Sequence, residues 1–110
     1  MRLTKKLQKK IEKRILNKEL RAWAIAVKNR DKFCVICGSI NRLNSHHIIP
    51  RQIHKYRLDI NNGITLCPLH HKYCNKISAH KNPFTFYHWL KLNRPVQYSY
   101  LVFIIENENN

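Results

Sequence analysis

Acidic side chains and glycine are scarce in this chain. It has 110 residues, with six Asp and Glu, two Gly and one Met, against 21 Lys and Arg, which leaves a formal charge of +15. So few glycines, with 44% apolar residues, exclude a low-complexity or disordered chain. So few acids leave the positive charge uncompensated, and such a chain calls for a polyanion: DNA or RNA first, an anionic membrane surface as the rival. Long apolar runs are missing too. Runs such as Leu101 to Ile105 fall far short of a membrane span, and lysines interrupt the N-terminus where a signal peptide would need its apolar core. An intracellular location is therefore expected, where four cysteines serve better as metal-bound thiolates than as disulfides. At this length one domain is expected, with a thin core that a structural metal would supplement.

Three stretches are expected. Residues 1–21 carry nine basic and two acidic side chains, with Leu3, Leu7, Ile11, Ile15 and Leu20 mostly at four-residue steps and Leu16 beside them. That pattern writes an amphipathic helix, whose stripe packs on the protein body or whose basic face tracks phosphates. Helix continues from Ala22 to Val27 and ends at Asn29-Arg30-Asp31. Residues 22–80 hold the Cys and His motifs, with β-prone pieces between Ile40 and Ile49, a tight turn at Asn62-Gly63 and a helix from Pro68 through Lys76. Residues 81–110 form a C-terminal helical extension. It opens on Asn82-Pro83 as cap and first residue, and the helix runs to about Leu92 before Arg94-Pro95 closes it. Val96 to Ile105 suits strand or helix, and Asn107 to Asn110 should fray.

Two pairs at short spacing, Cys34-x2-Cys37 and Cys67-x2-His70, suit tetrahedral zinc, because each tight turn brings two donors to one ion. Cys74 is the alternative fourth ligand, and His70 could exchange roles with its neighbour His71. Between the pairs lie His46-His47, then fourteen residues and Asn62; after eight more residues, directly past the second pair, comes His71. Phosphodiester hydrolysis needs a base to deprotonate water and a cation to stabilise the departing oxyanion, and histidine can serve as the base or as a metal ligand. Neighbours on a regular strand face opposite ways, so His46 and His47 address one site only if the strand ends or twists there. Pro50 is consistent with that ending.

From about Trp23 to Lys76 these motifs resemble the HNH endonuclease family, in particular a small phage-type member. The resemblance implies a small α+β fold with a ββα-metal core stapled by zinc. It implies a metal-dependent endonuclease that nicks or cuts DNA, with His47 as general base and His46 and His71 holding one divalent ion. Asn62 would pin the loop that orients His47. Many members of the family carry aspartate where His46 stands, and histidine occurs there in bacterial-toxin nucleases. Imidazoles favour Mn²⁺, Ni²⁺ or Zn²⁺ over Mg²⁺. Arg51 and Lys76 are placed to meet phosphates, while His54, His80 and His88 fall outside the motif. The Phe84-Phe86-Tyr87-Trp89-Leu90 cluster has the spacing of a core-facing helix. The alternative functions are a non-catalytic zinc module that binds DNA, or an accessory protein of phage replication or packaging machinery with a larger phage partner. Oligomeric state leaves no mark in the sequence.

Overall fold

The computed structural model describes residues 2–108. Met1, Asn109 and Asn110, the outermost residues of the expected arm and of the expected frayed end, lie outside it. Helix α1 spans Lys5–Asp31, a two-stranded sheet pairs β1 (Asn44–His47) with β2 (Gly63–Leu66), and helices α2 (Pro83–Asn93) and α3 (Pro95–Glu106) complete the order. The architecture is small α+β, and among the described residues no helix is long and apolar enough to cross a membrane.

α1 starts where Thr4 Oγ1 accepts the Leu7 N–H at 3.1 Å and ends at Lys32, which takes a left-handed φ of 69° while its N–H bonds the Lys28 carbonyl. It runs unbroken through residue 21 and past Val27. The expected packing of its N-terminal stripe is not observed: Leu3, Leu7, Ile11 and Ile15 are all exposed. At about 100° per residue these four lie roughly half a turn from Leu16, Leu20, Trp23 and Val27, the side that meets the sheet. Two apolar stripes share one helix, and only the C-terminal one is buried.

The strands run antiparallel, with His46 opposite Ile64 and His47 opposite Gly63. Alternation splits the sheet into two faces. Ser45, His47, Gly63 and Thr65 look toward α1, where Ser45 Oγ donates to the Ala24 carbonyl at 2.6 Å and Thr65 Oγ1 to that of Val27 at 3.3 Å. Ile64 and Leu66 look the other way, into a core built with Phe86, Leu90 and Leu101. Buried Asp31 ties the layers together: its carboxylate accepts the Thr65 N–H and pairs with Arg30 and Arg94. Burial opposes its ionisation, but the Arg30 guanidinium and the Thr65 N–H outweigh it and hold the carboxyl below its usual range.

Four local expectations are corrected. The Asn62-Gly63 step is no hairpin turn; Ile60–Asn62 form a 3₁₀ turn, and Gly63 is extended at φ −127° as the first residue of β2. Glycine is needed there because a Cβ would collide with Val27 Cγ2 and Trp23 Cζ2. The helix expected from Pro68 to Lys76 is a single π turn, Leu69–Tyr73. The strand expected up to Ile49 is confined to Asn44–His47, and the aromatic cluster is split, with Phe86 and Leu90 buried and Phe84 84% exposed. Val96 to Ile105 resolves as helix, and Asn107 is held by its side-chain amide donating to the Phe103 carbonyl.

Candidate metal and catalytic centre

Two groups of donors converge on the π turn, which begins shortly after β2. The first is Cys34, Cys37, Cys67 and His70. A knuckle after α1 presents the first pair; its backbone closes through Gly38 N–H to the Cys34 carbonyl, and Gly38 takes φ +79°, where glycine is at ease. Val35 N–H bonds the Thr65 carbonyl and docks the knuckle on β2. The donor separations are 3.7 Å for Cys37 Sγ to Cys67 Sγ, 3.8 Å for Cys34 Sγ to His70 Nδ1 and 3.3 Å for Cys67 Sγ to His70 Nδ1. Tetrahedral zinc with bonds of about 2.3 Å to sulfur and about 2.0 Å to nitrogen needs edges of roughly 3.5–3.8 Å, so the four side chains fit the ion. Burial, with Cys34 and Cys67 close by, pushes the Cys37 thiol up to about 11. Cys74 caps the far end of the π turn and stands apart from this group.

The second group is His46, His71 and His80, whose ring nitrogens lie within 4.8 Å of one another. His46 reaches it from the face of β1 opposite α1, and its ring meets Phe86 edge-on at 5.8 Å. The π turn swings consecutive residues apart, His70 into the sulfur cluster and His71 toward His46 at 5.1 Å between ring centres. His80, outside the sequence motif, completes the trio: His80 Nε2 is 3.0 Å from His71 Nε2. It arrives because Ala79 and His80 donate their N–H groups to the carbonyls of His70 and His71, a short return of chain onto the turn. No periodicity betrays that return. Burial, then the neighbouring His71 and His80, takes His46 down to about 3; burial, then His80 and Lys72, takes His71 down to about 4. Both are therefore neutral donors at pH 7. Two imidazole nitrogens held at about 2.1 Å from one ion at right angles lie about 3.0 Å apart, so the His71–His80 spacing also suits a shared metal.

His47 occupies the other face of β1. Its ring stacks on Trp23 at 3.8 Å with planes 7° apart, and Trp23 is itself fixed by Nε1–H donation to the Asp59 carbonyl at 2.8 Å. His47 Nε2 lies 2.9 Å from the Arg57 carbonyl. A carbonyl can only accept, so Nε2 carries the hydrogen and the lone pair of the neutral ring is on Nδ1. Burial, with Arg51 nearby, lowers the pKa of His47 against the pull of that carbonyl. Asn62, fully buried, accepts the Ile49 N–H through Oδ1 at 2.6 Å and donates through Nδ2 to the carbonyls of Ile49 and Tyr56. One side chain thus fastens both ends of the segment that carries Arg51 and leads to Arg57.

A cleft of about 330 Å³ opens over His46, His47, His71 and His80, with Arg51 and Tyr87 on its rim. Lys76 lies exposed in the bend after the π turn and does not line the cleft; His54 and His88 are exposed elsewhere. The cleft holds an oriented imidazole base, a cluster of neutral imidazole donors and one guanidinium.

Residues 34–76 match the model of the HNH endonuclease family, a span that covers the sulfur cluster, His46, His47, Asn62 and His71. No curated protein and no solved structure is similar enough to the chain to count as a match. That match falls on the two-stranded sheet and the Cys3His cluster, so this segment is similar to the HNH endonuclease family in the part of the chain that carries the candidate site.

Proposed function

We propose that the protein is a metal-dependent endonuclease that hydrolyses phosphodiester bonds in DNA. His47 is the general base: Nδ1 takes the proton from the attacking water, while the Arg57 carbonyl keeps the opposite nitrogen protonated and Trp23 fixes the ring plane. Asn62 keeps the Ile49–Tyr56 segment in register so that His47 and the Arg57 carbonyl stay opposed. Arg51 and, at greater distance, Lys76 attract the phosphate backbone. His46 and His71, joined by His80, would hold one divalent ion, Mn²⁺, Ni²⁺ and Zn²⁺ suiting three imidazoles better than Mg²⁺. When bound, that ion supplies Lewis-acid stabilisation of the charge on the leaving oxygen. Cys34, Cys37, Cys67 and His70 would hold a structural zinc.

The observation that carries this proposal is the pairing of an oriented base with three converging imidazoles across one end of β1. A DNA-binding zinc module has no use for either. The deciding experiment incubates supercoiled plasmid with the protein, with and without added divalent ion, beside His47→Ala. Metal-dependent nicking or linearisation that His47→Ala loses supports the proposal; equal cleavage by both proteins overturns the role of His47.

A further inference from the structure

The N-terminal half of α1 projects beyond the sheet with its basic side chains unevenly distributed. At about 100° per residue, Lys5, Lys6, Lys9 and Lys13 fall on the side shared with Leu16, Leu20 and Trp23. Lys18 falls on the opposite side, within the exposed Leu3-Leu7-Ile11-Ile15 stripe; Lys10 lies between the two sides, Arg14 falls in line with Arg21, and Glu12 and Glu19 lie at the far edge of the lysine side, near Lys5. The side with the lysines is therefore the side that carries Trp23 onto His47. A second hollow, of about 350 Å³, lies there between helix and strand, with Asn17, Arg21 and Trp23 on one wall and His47 and Arg51 on the other. His47 and Arg51 also line the histidine cleft, so the two hollows adjoin at those residues.

The geometry points to a continuous track for a duplex DNA backbone, which runs from the histidine cleft past Arg51, through the hollow beside Asn17 and Arg21, and onto Lys9, Lys13 and Lys6 of the projecting helix. This inference rests on the nuclease proposal for the identity of the polyanion, and it adds which side of the helix meets it. The lysine side is separate from the apolar stripe, so phosphate contact and the exposed leucines do not compete for one surface. From Lys6 to Lys13 the helix rises about 10 Å, which matches roughly three base pairs of backbone.

The test compares two single variants that remove the same charge from opposite sides: Lys9→Gln and Lys18→Gln. Both positions are exposed, so the fold should hold, and equal melting temperatures verify it. Binding of a duplex oligonucleotide is measured against salt concentration without added divalent ion, which separates binding from cleavage. Lys9→Gln should flatten the dependence of log affinity on log salt by about 0.9, the share of one lost phosphate contact, and Lys18→Gln by much less. Equal flattening would mean that net charge alone acts, and no flattening by either would mean that the helix does not touch DNA; both results overturn the track. If Lys9→Gln behaves as expected and the wild-type protein never cuts DNA with any added metal, the nuclease proposal falls while the track stands. Cleavage with no difference between the two variants gives the converse.

Discussion

The two donor clusters on either side of the π turn differ in chemistry, enclosure and supply. The Cys34-Cys37-Cys67-His70 group has three sulfurs and four donors in all, with Cys34 and Cys67 in the core and Cys37 on the surface. The His46-His71-His80 group has only imidazoles, three of them, on the floor of an open cleft. Four donors satisfy tetrahedral zinc and leave nothing for substrate, whereas three leave coordination positions vacant for water or phosphate oxygens. Consecutive residues, His70 and His71, serve the two groups, so the turn that separates them decides which cluster is closed and which stays open.

Removing the base from the open side should have the largest effect. His47→Ala is expected to lower single-turnover plasmid cleavage by about 10²–10⁴-fold. Circular dichroism should show the fold kept, and duplex affinity should hold, because a neutral ring carries no charge to the phosphates. Damage to the closed side should appear in stability instead. Cys67→Ser breaks a cluster whose binding energy is folding energy, so the variant should lose both its zinc, by elemental analysis, and its cooperative thermal transition. A variant that melts like the parent would erase the distinction between the clusters.

Substitution of His80 tests whether the open group has three members. His80→Ala should raise the divalent-ion concentration for half-maximal cleavage by at least about tenfold, since even partners one shell further out typically matter that much, with recovery at saturating metal. An unchanged metal requirement would return His80 to the surface residues.

Acidification should give the smallest effect. His46 and His71 lie near 3 and 4 in the folded protein against an ordinary value of 6.5. Between those limits the unfolded chain binds protons that the folded chain refuses, so their contribution to stability is complete above about pH 6.5 and falls as pH drops toward 4. The neighbours that face His46 are His47, His71 and His80, and Lys72 adds to the charge near His71. Melting temperatures compared at about pH 7 and about pH 5 should fall less in His46→Asn than in the parent, a difference that cancels the loss of zinc common to both. Equal falls would contradict buried neutral histidines.

Spacing made the chemistry more legible than the shape. Cys34-x2-Cys37 and Cys67-x2-His70 could be read as one site because short loops impose proximity whatever the fold. The cap at Asn82-Pro83 was legible because a side-chain oxygen and a fixed proline φ are local facts. His80 was not legible, since its approach depends on backbone pairing of Ala79 and His80 to the π turn, which leaves no pattern in side-chain type. Asn62-Gly63 reads as a turn signal in sequence, yet what demands glycine there is tertiary: close contact with Trp23 and Val27. The stripe at Leu3-Leu7-Ile11-Ile15 was legible as amphipathic helix, yet periodicity cannot say which of two stripes meets the body, and here it is the one from Leu16 to Val27.

The proposed function requires one cluster to hold its ion permanently for structure and the other to take an exchangeable ion for hydrolysis. The most direct measurement is elemental analysis of the purified protein, followed by plasmid cleavage as Mg²⁺, Mn²⁺, Ni²⁺ or Zn²⁺ is added to the same sample. The expected result is one zinc per chain that survives dialysis, no cleavage before addition, and cleavage that saturates with added metal. A protein that keeps no zinc, or that retains its zinc yet cuts nothing with any of the four ions, would contradict it.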